Sequence, residues 1–223
     1  MFIMGISTYI SLRKYNFTYS HATLRKIVKR TVVIFCIGLF LNLLAKSVFT
    51  HHLNFEELRY LGVMQRLAIG YGVTSLVAIT VKHKYFPAII LVTLAVYFLL
   101  LAMGDGFNLS ATNIVARFDV WALGTSHMYH DGGMAFDPEG LLSTLPAVCH
   151  VMVGFYCGKL LFSAKDNDEK IQRLFLVGTI LTFAGFLLSY GCPINKKCGR
   201  LLLSLQPADW HPAFWLCLSG SLI

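Results

Sequence analysis

The sequence contains little charge. Only 13% of its 223 residues are Asp, Glu, Lys or Arg, whereas 56% are hydrophobic and the mean hydropathy is +0.64. Soluble domains carry about 25% charged residues. The deficit comes from long apolar runs, which argues against an ordinary soluble domain. The net charge of +8 lies in short connections between these runs. That pattern is typical of membrane orientation, so nucleic acid is not an expected partner.

Several motifs that carry chemistry are also missing. No Cys-x-x-Cys, Gly-x-Ser-x-Gly, Walker-type glycine loop or His-Glu-x-x-His occurs. Redox pairs, serine hydrolases, P-loop proteins and zinc proteases are therefore not indicated, and we expect no metal site. Cys36, Cys149 and Cys157 lie in apolar runs and are expected to act as small hydrophobic residues. Cys192 and Cys198 could form a disulfide in an oxidising compartment.

The apolar runs predict an all-α fold, a polytopic transmembrane helix bundle. A helix needs about 20 residues to cross the ~30 Å of bilayer hydrocarbon. About five runs are long enough for a full span, namely Thr31–Phe49, Leu61–Val81, Phe86–Met103, Leu141–Phe162 and Ile171–Gly191. The apolar segment Met1–Ile10 is too short to cross, and it predicts a partial N-terminal span.

Positive residues gather in alternate connections between the predicted spans. Lys and Arg are concentrated in 12–30, 82–85 and 163–170. The positive-inside rule places these three connections in the cytoplasm. The connections 50–60 and 104–140 then lie on the opposite side of the membrane, where we expect the functional chemistry.

The connection 104–140 is long and rich in aromatic and aliphatic residues. Loops above about 15 residues are usually functional when they are not disordered. Ile114–Leu123 within it predicts a short amphipathic helix on the membrane surface. His127 and His130, three residues apart, favour contact with a polar ligand or a proton relay, with a solvated loop as the alternative.

Charged residues also mark the starts of two predicted spans. Asp137 and Glu139 lie in an Asp-Pro-Glu-Gly string that could simply begin a helix, or could transfer protons or bind a polar substrate. Arg59 could be an ordinary interfacial side chain. Arg66, with Gln65 beside it, lies about five residues inside the second span, where a guanidinium is costly without a partner. That partner is expected to be Asp137 or Glu139, or else an anionic ligand.

These strings resemble segments of the heparan-α-glucosaminide N-acetyltransferase family. Leu61-Gly-Val-Met-Gln-Arg66 is similar to its Gly-Val-Leu-Gln-Arg-Leu segment. A second family segment contains the same strings in the same order as this chain, namely Asp119, Leu123-Gly124, His127-Met-Tyr129 and Asp137-Pro-Glu-Gly140. Two further strings resemble the family, Phe2-Ile-Met-Gly5 and Pro193-Ile-Asn-Lys-Lys197. The order and approximate spacing fit over residues 1–197.

The resemblance implies a function. The family transfers an acetyl group from cytosolic acetyl-CoA to an amino sugar on the other side of a membrane. For a bacterial member this implies the inner membrane, with 50–60 and 104–140 in the periplasm. The implied partners are the lipid bilayer and an amino-sugar or cell-wall glycan acceptor, and a homodimer is left open. From the residues themselves, we expect supporting roles in catalysis for Asp137, Glu139 and His127, and substrate binding by Arg59, Gln65, Arg66 and His130.

The chain also departs from the family pattern. The family's catalytic His precedes its Phe-Ile-Met-Gly segment, so no residue here inherits that role, and the catalytic residue stays unassigned. We expect residues 1–197 to form a partial transmembrane acyltransferase domain that is inactive as this chain alone. Robust turnover of acetyl-CoA by the purified chain would contradict that expectation.

The segment 198–223 predicts an aberrant tail. With suitable codons, a one-base shift converts Cys198–Leu203 into Val-Trp-Ser-Pro-Thr-Phe, which resembles the family's continuation. We therefore interpret the tail as a frameshifted read, which the gene sequence can test. Two other classes stay open for the whole chain: a membrane transporter or binding protein for a sugar or anionic ligand, and a remnant without a role.

Overall fold

The computed structural model describes residues 1–50, 58–106, 113–131, 134–135, 137–164 and 166–191. At 49–50, 130–131, 134–135 and 187–191 it describes the backbone but not the side chains. The helices of this part are α1 Phe2–Arg13, α2 His21–Thr50, α3 Val63–Thr80, α4 Phe86–Met103, α5 Ile114–Leu123, α6 Thr144–Ser163 and α7 Asn167–Gly191. The described part also contains two 3₁₀ turns, at His83–Tyr85 and Thr125–His127. Strands β1 His130–Asp131 and β2 Met134–Ala135 pair in a small antiparallel ribbon. The predicted all-α bundle is confirmed.

Four helices of the described part are long and apolar enough to cross a membrane. They are α2 over His21–Val48, α3, α4 with its preceding 3₁₀ turn, and α6. The protein is therefore an integral membrane protein, and lipid is its surrounding partner. The fifth predicted span lies within α7, a single helix of 25 residues, which at about 1.5 Å per residue exceeds the ~30 Å of hydrocarbon.

Several predicted boundaries differ from the structure. The third span coincides with α4, but α2 begins at His21 and not at Thr31. Its basic first part is helical because the sequence has no Gly or Pro between Ser20 and Gly38, and because Lys and Arg favour helices. The predicted connection 12–30 therefore shrinks to residues 14–20.

The later boundaries move in the same way. The predicted connection 163–170 shrinks to 164–166, because α7 begins at Asn167. Asp168 and Glu169 lie in the first turn of α7, where negative charge favours the positive end of the helix dipole. The fourth span begins three residues later than predicted, at Thr144.

Helix α6 lies at the centre of the bundle, in contact with α1, α3, α4 and α7. Its Phe155 is fully buried, with ring centroids 4.9 Å from Phe86 and 5.2 Å from Tyr9. Helix α1 approaches the α6 backbone closely, since a Cβ on Gly154 would overlap the Phe2 carbonyl. Close backbone approach through small residues is a general way of packing helices in membranes.

The two ends of the bundle carry different side chains. At one end the three basic connections meet: Phe17 and His83 have ring centroids 4.4 Å apart, and the Arg13 guanidinium lies 5.1 Å from the Phe162 ring. We call this the basic end. At the opposite end, called the site end, the residues before α3 meet the connection between α4 and α6.

Candidate functional site

Arg59 and two carboxylates from a distant part of the chain meet at the site end. The guanidinium donates from Nε to Asp137 Oδ2 over 2.9 Å and from Nη2 to Asp137 Oδ1 over 2.5 Å. Nη2 also donates to Glu139 Oε2 over 3.0 Å. The two parallel bonds to Asp137 fix the plane of the guanidinium. We call Arg59, Asp137 and Glu139 the carboxylate cluster.

Burial within the carboxylate cluster is graded. The Asp137 side chain is fully buried, whereas those of Glu139 and Arg59 are 13% and 31% exposed. Burial alone would lower the pKa of Arg59, but the hydrogen bonds and charges of Asp137 and Glu139 outweigh it and raise that pKa. Arg59 therefore stays charged and neutralises one carboxylate. The cluster thus holds two acids and one guanidinium, and Glu139 is the more exposed of the two acids.

The turn that carries both carboxylates is closed by its own hydrogen bonds. The Glu139 amide donates to Asp137 Oδ1 over 2.9 Å, as in turns initiated by Asp. Ser143 Oγ lies 3.0 Å and 3.1 Å from the carbonyl oxygens of Pro138 and Gly140. The alternative in which the Asp-Pro-Glu-Gly string begins the fourth span is wrong, because the N-cap position of α6 belongs to Ser143.

Arg66 of α3 contacts the same turn through its main chain. The side chain lies inside the bundle, and Nη2 donates to the Pro138 carbonyl over 2.8 Å and to Ser143 Oγ. Asp137 and Glu139, expected to pair with Arg66, instead bond Arg59. Arg59 is thus more than an interfacial side chain, and Arg66 supports the backbone between the two carboxylates.

Gln65 is buried, but in the described part of the chain it forms no hydrogen bond to the carboxylate cluster. It faces α2, where a Cβ on Gly38 would lie 2.9 Å from its Nε2. Among the described residues, none forms a hydrogen bond to its amide atoms. Its neighbour on α2, Asn42, donates to the Arg59 carbonyl over 3.1 Å. The structure therefore places Gln65 in the interface between α2 and α3, not with the predicted substrate-binding residues.

His127 holds the segment that carries Arg59. Its Nδ1 lies 2.9 Å from the Leu58 carbonyl oxygen, and its ring stacks on Tyr60 with centroids 4.0 Å apart. The Tyr60 amide donates to the His127 carbonyl over 3.3 Å. His127 thus has a positioning role beside the cluster. His130 belongs to β1, where it pairs with Ala135, and its side chain lies outside the description.

Sequence reasoning did not assign Asp119 to the site, although the residue lies at its base. Asp119 is fully buried on α5, and its Oδ1 accepts from the amides of Leu141 over 2.9 Å and Leu142 over 3.4 Å. Burial raises its pKa to about 6; the two amides and Arg66 act in the opposite direction. The sequence does contain a signal for this role: Asp119 is the single acid among the apolar residues of the predicted amphipathic helix.

The chemistry of the site rests on carboxylates and guanidinium groups. In the part of the chain that the structure describes, no group of three or more His, Cys, Asp or Glu comes together to hold a metal. The predicted pair Cys192 and Cys198, the string Pro193–Lys197 and the tail 198–223 lie outside the described residues. Glu139 is the partly exposed acid of the cluster, and a carboxylate can bind a cation such as an ammonium and can accept a proton.

Comparison with known protein families finds no family that matches the chain, and comparison with curated proteins finds no match. The resemblance described above therefore rests on sequence motifs. Those motifs include Arg66, Asp119, His127, Asp137 and Glu139. They come from two separate stretches of the sequence, and the described structure places all of them at the site end.

Proposed function

We propose that the chain forms part of a membrane acyltransferase that resembles the heparan-α-glucosaminide N-acetyltransferase family. The reaction would move an acetyl group from cytosolic acetyl-CoA to an amino sugar, or to a cell-wall glycan that carries one, on the periplasmic side of a bacterial inner membrane. The positively charged basic end suits the phosphates of acetyl-CoA. The site end would receive the acceptor.

The observation that carries the proposal is a partly exposed acid, Glu139, that shares one guanidinium with the buried Asp137. Arg59 neutralises one of the two acids, and Glu139 keeps an exposed fraction at the mouth of the site. A protonated amino sugar is a cation that can donate hydrogen bonds to a carboxylate. The Arg59 guanidinium also lies 5.5 Å from the Tyr129 ring, which is half exposed and offers an apolar face to a sugar ring.

The chemistry of transfer requires a neutral amine. An ammonium has no lone pair, so it must lose a proton before its nitrogen can attack the thioester carbonyl. Glu139 is the more accessible carboxylate of the cluster and would bind the ammonium and accept this proton. Asp137, fully buried and bonded twice to Arg59, would hold the guanidinium in place.

Acceptor binding tests the proposal. The purified chain in lipid nanodiscs is titrated with glucosamine, and with glucose as the matched sugar without an amine, with binding followed by saturation-transfer NMR. Glucosamine should bind more tightly, and Glu139→Gln should weaken it at least about tenfold, which corresponds to about 1.4 kcal/mol. Glu169→Gln is the control, because Glu169 pairs with Arg173 at the basic end.

Two results would contradict the acceptor assignment. Equal binding of glucose and glucosamine would show that the amine is not recognised. An equal effect of Glu139→Gln and Glu169→Gln would show that the carboxylate cluster is not the binding site.

A membrane transporter or binding protein for a sugar or anionic ligand is the second candidate. Arg66 lies inside a membrane-spanning helix, and farther along the same helix the buried hydroxyls of Thr74 and Ser75 have no hydrogen-bond partner among the described residues. Polar groups inside a span often line a pathway. Proteoliposomes loaded with labelled glucosamine test the transporter: release of the unmodified sugar favours transport, and retention of a sugar that binds at the site end argues against it.

A further inference from the structure

Asp119 joins the surface helix α5 to the start of α6. The buried face of α5 contains Val115, Ala116 and Asp119, whereas Phe118 and Trp121 are exposed on its other side. An acid on the buried face of a short helix is costly unless its charge is compensated. The compensation comes from another element, because Asp119 accepts hydrogen bonds from backbone amides just before α6.

These amides belong to the turn that carries the carboxylate cluster. Neither amide can be satisfied by a helical hydrogen bond, because Leu141 and Leu142 precede Ser143, the N-cap residue of α6. The N-cap residue Ser143 does not cap α6 with its side chain, because its hydroxyl contacts the carbonyls of Pro138 and Gly140. Asp119 accepts from the amides of Leu141 and Leu142, so it holds the part of the turn that follows the two carboxylates bound by Arg59.

The second oxygen of the Asp119 carboxyl lies in a dry position. Oδ2 is buried and has no hydrogen-bond partner among the described residues, and a Cβ on Gly140 would overlap it. The charged groups that act on Asp119 are Asp137, from the same turn, and Arg66, from α3. From α4, Tyr97 and Leu101 are buried in one cluster with Val115 of α5, and Tyr97 is the titratable member of that cluster.

We infer that Asp119 is a positioning residue whose carboxyl group binds a proton when the turn 137–143 is closed and releases it when the turn opens. The geometry allows this because Oδ1 is held by two amides, while Oδ2 is free of hydrogen bonds among the described residues and can carry the proton. The turn positions Asp137 and Glu139, so protonation of Asp119 would regulate how firmly the site is assembled. Its role in acceptor binding rests on the proposed function, whereas the movement of the turn does not.

The direction of the pH dependence follows from linkage. In the closed turn burial raises the pKa of Asp119 to about 6, whereas exposure on opening returns it towards the ordinary 3.8. The closed turn therefore binds the proton more tightly, and its extra stability is complete below pH 3.8 and is lost as the pH rises through about 6. Lower pH should close the turn, and higher pH should loosen it.

Hydrogen–deuterium exchange of the chain in nanodiscs tests the inference without any acetyl transfer. Amides in the peptide 137–145 are followed from pH 5 to pH 7, corrected for intrinsic exchange. The control is the peptide 156–163, which ends α6 at the basic end and contains no His, Asp or Glu. The protection factor of 137–145 should fall about tenfold over this range as the buried carboxyl ionises. Asp119→Asn keeps an acceptor oxygen without a titrating group, so it should stay protected and lose the pH dependence. Asp119→Ala should lose protection at every pH.

A second pair of variants keeps the test independent of Asp119 substitutions. Gly140→Ala should displace the carboxyl and speed exchange of 137–145, whereas Gly178→Ala, which meets no atom within 4 Å, should leave it unchanged. A wild-type protection factor that is flat or rises with pH overturns the inference, and so does the same pH slope in Asp119→Asn. If the pH slope is present but glucosamine does not bind, the proposed function fails and the inference stands.

Discussion

Arg59 is held in place by a buried carboxylate, that of Asp137. The Asp137 carboxylate has no exposed surface, and its two bonds to the guanidinium replace the water that it loses on folding. A buried charge without its partner is far more costly than an exposed one. Glu139, by contrast, shares the same guanidinium but keeps contact with solvent.

Removal of the guanidinium should therefore destabilise the protein. Arg59→Ala leaves the Asp137 carboxylate buried without a counter-ion, and we expect a loss of about 3 kcal/mol of unfolding free energy. Thermal unfolding in detergent measures the change. Combining Arg59→Ala with Asp137→Asn should recover part of the loss, because the uncompensated charge is then absent.

Arg173 provides the matched control for Arg59. It pairs with Glu169 on α7, where both side chains are 38% exposed. Exposed pairs of this kind contribute about 0–1 kcal/mol. A similar loss of stability for Arg173→Ala and Arg59→Ala would show that burial of Asp137 does not decide the effect.

At the scale of helices, three glycines bring α1 and α6 together. A Cβ on Gly5 would overlap the α6 backbone at Val151, and a Cβ on Gly154 would overlap the Phe2 carbonyl. A Cβ on Gly158, one turn after Gly154, would lie 3.0 Å from the Cβ of Tyr9. Sequence reasoning did not single out this small-residue pattern, whose significance depends on which helix lies opposite.

Substitutions on α6 should separate α1 from the bundle in a graded way. Gly154→Ala would place its Cβ 2.1 Å from a backbone oxygen, whereas Gly158→Ala would place its Cβ 3.0 Å from the Tyr9 Cβ and 3.3 Å from the Ile6 Cα, contacts that a shift of a few tenths of an ångström relieves. Exchange of α1 amides should therefore increase strongly in Gly154→Ala and only slightly in Gly158→Ala. Equal exchange in the two variants would mean that the backbone contact does not hold α1.

The remaining helices show how far local pattern predicts structure. Residues Phe86–Met103 and Ile114–Leu123 form helices with the predicted bounds, because apolar content and periodicity are local properties of the chain. The start of α2 was misplaced because hydropathy marks only the lipid-embedded part of a helix. The helix itself begins earlier, at His21, directly after Ser20, and includes the basic segment.

At the scale of the whole molecule, charge separates the two ends. The basic connections meet at one end and the carboxylate cluster lies at the other. The positive-inside rule predicts that the basic end faces the cytoplasm. With that orientation, an acyl donor with several phosphates and a cationic acceptor would each approach the end that attracts it.

Labelling from outside the cell tests this orientation. In a chain whose native cysteines are replaced by Ser, Lys84→Cys marks the basic end and Ser126→Cys marks the site end, and both positions are exposed. A membrane-impermeant maleimide applied to intact spheroplasts should modify the cysteine at 126 and spare that at 84. The control is permeabilised spheroplasts, in which both should react. The reverse pattern in intact spheroplasts would overturn the topology.

The sequence by itself determined that the protein is a membrane helix bundle, where most of its spans lie and which residues carry charge into them. These properties follow from hydropathy and charge along short windows, which do not depend on distant contacts. Only the tertiary structure decided which groups meet. Arg59 and Asp137 are 78 positions apart in the sequence. The path of the connection between α4 and α6 brings both carboxylates to Arg59 and the backbone of their turn to Arg66. It also buries Asp119 under Gly140, where desolvation changes its chemistry.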